Sequence, residues 1–188
     1  MKHLRSFTFF IAITLNSWSA IAIPIYDVQA GLLVGINNVE INGAFYDVVF
    51  RDGVFQDYFN LAEPFTFSTA SDASDASLAL VNLLSDTPEG NFDSNPLLTF
   101  GCAGDNCQIR TPYEYSFGYI TAEWFRNAAF DGDDERGALD FLPTYDSTGE
   151  AVTFADWRPS IAVPLPPSLA LFAFGLAGLS LSRRKKLF

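Results

Sequence analysis

The chain has 188 residues and a formal net charge of −11, from 22 acidic and 11 basic residues, with a single histidine. Six of the basic residues sit at the two ends (Lys2, Arg5, Arg183, Arg184, Lys185 and Lys186), so the stretch from Ile23 to Ala162 holds five arginines against all 22 acids, a charge of −17. Such a stretch repels nucleic acid and anionic lipid. It also contains no histidine and no lysine, which excludes Ser-His and Cys-His nucleophiles, His-ligated zinc and lysine Schiff bases.

At the start of the chain, Lys2 and Arg5 form a basic region, Phe7 to Leu15 an apolar run, and Ala20-Ile21-Ala22 a small-residue cleavage site. This order predicts a secretory signal over residues 1–22, with the mature chain beginning at Ile23. Residues 23–162 then form one acidic domain, long enough for a single core.

Within it, Leu32 to Ile36 is β-prone and Val39-Glu40-Ile41 alternates. Asn42-Gly43 is a strong hairpin signal, and Ala44 to Phe50 returns as a strand. Asp52-Gly53 predicts a second turn before Val54-Phe55, completing a β-meander. Ser71 to Leu84 is the clear helix, with Ser71 or Ser74 as cap, Asp72 and Asp75 near its positive end, and Asp86, Thr87 and Pro88 as its stop. From Glu89 to Arg110 the chain reads as loop. Tyr113, Tyr115, Phe117 and Tyr119 alternate as one aromatic-faced strand, Thr121 to Phe130 reads as either strand or helix, and Ala151 to Trp157 is a last strand. The many Phe and Tyr residues are expected to fill a β-rich core.

Cys102 and Cys107 enclose Ala103-Gly104-Asp105-Asn106, a turn-rich loop. In an oxidising compartment this predicts a structural disulfide, closing a small loop apart from the aromatic core. Asp131-Gly132-Asp133-Asp134-Glu135 is the densest acidic cluster. Against a calcium-loop pattern, Arg136 replaces the required glycine and Leu142 the bidentate glutamate, so it reads as a solvated acidic turn.

The chain closes with Val163, Pro164, Leu165 and Pro166, then an apolar run from Ser168 to Ser182, then Arg183, Arg184, Lys185 and Lys186. The fifteen apolar residues span about 22 Å as a helix, and the preceding Val163 to Pro167 brings the segment near the lower limit for crossing a membrane. The basic cluster is a stop that stays in the cytoplasm, so both ends of the chain place residues 23–162 outside the inner membrane.

This tail resembles the PEP-CTERM signal of Gram-negative bacteria, in which a Val-Pro-Glu-Pro motif, a hydrophobic helix and a basic cluster are recognised and processed by an exosortase. Val163, Pro164 and Pro166 match it, and Leu165 stands in place of the glutamate, as in a Val-Pro-Leu-Pro variant. The turns around Ile36 to Val39, Tyr46-Asp47-Val48 and Arg51-Asp52-Gly53 look like exported domains that precede such tails, a likeness that implies a shared fold and no assigned activity.

The expected fold is a β-rich α+β domain with an N-terminal β-meander and one short helix, followed by a transmembrane helix within the sorting tail, residues 163–188. The expected function is that of a non-enzymatic, exosortase-sorted protein of the envelope or extracellular matrix. Before processing it is anchored in the inner membrane by its tail; its partners are the exosortase and exopolysaccharide, not nucleic acid. A calcium- or carbohydrate-binding module working through Asp131, Asp133, Asp134 and Glu135 is the alternative, and a carboxylate-based glycoside hydrolase ranks third. No catalytic residue, metal ligand or cofactor is nominated.

Overall fold

Three two-residue turns organise the sheet. A computed structural model describes residues 23–84, 90–129 and 135–161. Its strands are β1 (Ile25–Gln29), β2 (Leu32–Ile41), β3 (Ala44–Arg51), β4 (Asn106–Ser116), β5 (Tyr119–Ala128), β6 (Glu135–Phe141) and β7 (Val152–Pro159), with one α-helix, α1 (Ala70–Leu84). The turns Ala30-Gly31, Asn42-Gly43 and Phe117-Gly118 all have positive φ at both central residues. That is the backbone twist which lets two strands return on each other without splaying.

The seven strands form one sheet in the order β1-β2-β3-β7-β4-β5-β6. β7, last in sequence, lies between two antiparallel three-stranded units, pairing antiparallel with β3 and parallel with β4. Its two faces build two cores. On one face α1 packs Ala73, Ala76, Leu80 and Leu84 against Ile36, Val48, Phe50, Ile109, Phe125 and Trp157. On the other, Phe55 stacks on Phe59 at 4.3 Å and meets Phe141 and Phe154 edge-on at 5.1 Å, with Ile120 and Ala122 beneath. Aromatic rings thus fill both cores, as the composition implies.

The β2–β3 hairpin forms about Asn42-Gly43 as expected, but the meander is completed by β1 before it. Val54 makes only an isolated bridge to Asp146, and Phe55–Asp57 is a 3-10 turn. Phe55, fully buried, turns out of the sheet to fill the second core. β1 escapes the sequence pattern because it is an edge strand and mostly exposed; its half-buried Tyr26 stacks on Phe92 and donates a 2.8 Å hydrogen bond to the Leu83 carbonyl.

The helix is where periodicity places it, with a different cap. Thr69 Oγ1 accepts from the Asp72 amide at 3.1 Å and donates to the Asp72 carboxylate at 2.8 Å, so neither Ser71 nor Ser74 caps it. The segment read as loop to Arg110 already carries the first half of β4. The aromatic alternation of Tyr113 to Tyr119 crosses a turn at Phe117-Gly118, and Thr121 onward is strand. The stop residues Asp86, Thr87 and Pro88, the signal segment and the sorting tail lie outside the described residues. Among the described residues no helix is long and apolar enough to cross a membrane, and the expected span Ser168 to Ser182 is not among them.

Candidate functional site

Strand alternation sends Arg110 to the Phe55 side of the sheet, opposite Phe154 on β7 and Trp124 on β5. There it is only 8% exposed, an unusual place for a cation. Its guanidinium stands 5.3 Å from the Phe141 ring centre and 4.6 Å from that of Tyr145. Nε donates to Gln108 Oε1 at 2.7 Å, while Nη1 is buried without a hydrogen-bond partner. Burial lowers the pKa of the guanidinium, and Tyr145 and Glu150 act in the opposite direction.

Tyr145 donates its hydroxyl to Glu150 Oε2 at 2.5 Å, and burial followed by that bond raises its pKa. The phenol is therefore held neutral. A cavity of about 490 Å³ opens beside these groups, lined by Leu139, Asp140, Phe141, Leu142, Thr144 and Tyr145 as well as Arg110, so one carboxylate stands at its wall with the cation. Trp124 extends the same surface. It lies over Gly137, where an added Cβ would stand 3.0 Å from the indole. Chemically this is a buried cation flanked by aromatic faces with the Asp140 carboxylate in the same wall, a setting suited to a hydroxyl-rich ring.

The other basic residues near this face are already engaged. Arg51 and Arg158 both reach Asp156, at 2.8 and 3.0 Å, and Arg126 pairs with Glu135 at 3.0 Å. Glu135 is the one member of the acidic cluster among the described residues; Asp131, Asp133 and Asp134 lie outside them. Among the described residues no group of three acidic, Cys or His side chains is placed to hold a metal ion.

Cys102 and Cys107 are joined in a disulfide with a Cα separation of 5.4 Å. The expectation that it stands apart from the core is corrected: Cys107 is fully buried and both cysteines belong to the α1-side core. Strand alternation turns Cys107 toward the helix, as it does Ile109. No local pattern marks the Arg110 site, because its partners come from residue 108 and from residues 141 to 150, brought together by the β4-β5-β6 pairing and the loop that follows β6.

A family model described as PEP-CTERM protein-sorting motif matches residues 162–185. The match covers Val163, Pro164, Leu165 and Pro166, the apolar run, and Arg183 to Lys185. No curated protein and no solved structure matches the chain. The motif marks an exported, envelope-targeted chain processed by an exosortase.

Proposed function

We propose that this PEP-CTERM sorting domain-containing protein is a non-enzymatic component of the cell envelope or extracellular matrix, delivered by its tail and acting through residues 23–161. The observation that carries this reading is the sorting motif beginning directly after β7, so that the sheet and the signal are joined without a spacer domain. The absence of histidine and lysine between Ile23 and Ala162 supports a role in contact rather than catalysis. Intact mass of protein recovered from the envelope tests it: residues beyond about Pro167 should be missing. Full-length protein there rejects processing, and turnover of any glycan in a panel rejects the non-enzymatic role.

Carbohydrate binding is a second reading, and the Arg110 pocket favours it over calcium. A guanidinium beside aromatic rings attracts a carboxylate-bearing sugar, while Asp140, the one carboxylate lining the pocket, supplies too few oxygens for a calcium ion. Calorimetry of the purified protein with galacturonate and with calcium separates the two. Heat with the sugar acid that disappears in Arg110→Met supports the pocket, and heat with calcium alone sinks it.

A further inference from the structure

The termini of the described sheet lie at one end of it. Tyr46 on β3 pairs with Pro159, and the Ser160 amide donates to the Phe45 carbonyl at 2.9 Å, so β7 ends level with the Asn42-Gly43 turn. β4 runs parallel to β7 with Arg110 opposite Phe154; six residues further along each strand stand Ser116 and Ser160. The Phe117-Gly118 turn is therefore at that same end. So is Ile23, two residues beyond Ile25, which pairs with Asn37.

That end gathers apolar surface. Phe117 is 100% exposed, Tyr115 45%, Tyr119 51%, Ile161 88% and Ile23 76%. Residues 115–121, Tyr-Ser-Phe-Gly-Tyr-Ile-Thr, carry no charge in a domain of −17. The nearest acids, Glu114, Glu123 and Asp140, lie back from the tip along the strands, Asp140 opposite Thr121.

Phe117 is also the wrong residue for its backbone. At φ +51° it occupies the place that Asn42, at φ +52°, holds in the β2–β3 turn, each followed by a positive-φ glycine. Local stability favours Asn at such a position, where a bulky ring with positive φ is strained and, here, buries nothing. The ring is thus kept for a contact made outside the domain.

The chain itself limits what that contact is. The matched motif starts at residue 162 and the apolar run at Ser168, seven residues after Ile161, or at most about 25 Å of extended chain. Resting on the reading of the tail as a membrane tether, we infer that the β4–β5 hairpin tip (Tyr115, Phe117 and Tyr119) is a membrane-interface contact of the unprocessed protein, seating the domain on the lipid surface beside the sorting motif. Tyrosine and phenylalanine suit the headgroup level, where one end of the ring is wet and the other apolar. The domain's negative charge confines the contact to this uncharged tip.

The test uses the full chain in nanodiscs of zwitterionic phosphatidylcholine and phosphatidylethanolamine, with and without brominated phosphatidylcholine. Phe117→Trp should show blue-shifted emission that the bromolipid quenches, the difference from the parent chain isolating the added indole. Phe117→Asn should fold at least as stably as the parent, yet lose about tenfold in the rate of tail removal in cells, the population factor that one buried ring supplies. Quenching together with slowed processing supports the contact. An added indole that stays solvent-exposed and unquenched in incorporated protein overturns it. Quenching that requires co-reconstituted exosortase, or an unquenched blue shift that grows with protein density, assigns the tip to the enzyme or to a second copy and also overturns it. Failure of the full chain to enter nanodiscs overturns the tether reading along with it.

Discussion

Arg110 is held with its guanidinium 4.6 Å from the Tyr145 ring while the Tyr145 hydroxyl donates a hydrogen bond to Glu150, so a neutral phenol links the cation to that carboxylate. Burial of an incompletely paired cation makes the site sensitive to shape as much as to charge. Arg110→Lys, which loses the flat stacking surface and the Nε bond to Gln108, should destabilise the protein by about 2 kcal/mol. Arg110→Met fills the slot and removes the unpartnered donor, so it should stay within about 1 kcal/mol of the parent. Urea denaturation of the two variants decides, and a lysine variant as stable as the methionine variant contradicts the account.

A second prediction concerns the seam between α1 and the sheet. Thr111 is fully buried, and its Oγ1 meets Ser77 Oγ at 3.2 Å and accepts from Trp157 Nε1 at 3.3 Å. Thr111→Val keeps the volume but strands both neighbours in the core, at a cost of about 2 kcal/mol. Adding Ser77→Ala should recover part of that loss, and thermal melts of the single and double variants would reveal additivity instead if the network were unimportant.

Removal of the disulfide should cost more than its short loop implies. Loop entropy accounts for about 2 kcal/mol. Because Cys107 is fully buried, Cys102→Ser with Cys107→Ser also places a hydroxyl in the α1-side core, adding about 1–2 kcal/mol that the double alanine variant avoids in part. Equal midpoints for the serine and alanine pairs would place the cysteines outside the core. In protein taken directly from cells, alkylation should find no free thiol at either position.

The pH dependence follows from groups with raised pKa values. Burial raises Tyr145 and Tyr113, so the folded state holds their protons more tightly than the unfolded chain. Their contribution is fully present below the ordinary tyrosine pKa of about 10 and fades as pH rises through the folded values. Melting temperature should therefore fall on the alkaline side, and less steeply in Tyr145→Phe. Burial likewise raises Glu123, with Arg136 opposing. Its charge works against folding at neutral pH, and Glu123→Gln should raise the melting temperature at pH 7 but not below the ordinary glutamate pKa of about 4.

What could be read from the chain follows a physical division. The Asn42-Gly43 hairpin and α1 were legible because their signals are local: a turn dipeptide with few alternatives, and a run of apolar residues at helical spacing. Cys102 and Cys107 were legible through their spacing. The Phe117-Gly118 turn was not, because a phenylalanine there continues the aromatic alternation of Tyr113 and Tyr115 and hides the break. β6 was not, although Gly137, Leu139 and Phe141 alternate with exposed Ala138 and Asp140, because the strand is short and follows directly on the acidic cluster that reads as a turn. The Arg110 site was beyond reach for a different reason: a lone arginine between Ile109 and Thr111 acquires its meaning from Phe141 and Tyr145, which only the folded β4-β5-β6 unit and the loop after it deliver.

The pairing of β7 has a temporal side. β1-β2-β3 and β4-β5-β6 are each contiguous hairpin units, and β7 is the keystone between them, though it is the last of the described strands in sequence. Long-range pairing of this kind is slow and has no local substitute. The sheet cannot close until Val152 to Pro159 is in place, and the motif at residues 162–185 is the next part of the chain. Closure of the fold thus waits on the strand that stands immediately before the sorting signal, so the fold and the signal are completed by neighbouring stretches of chain.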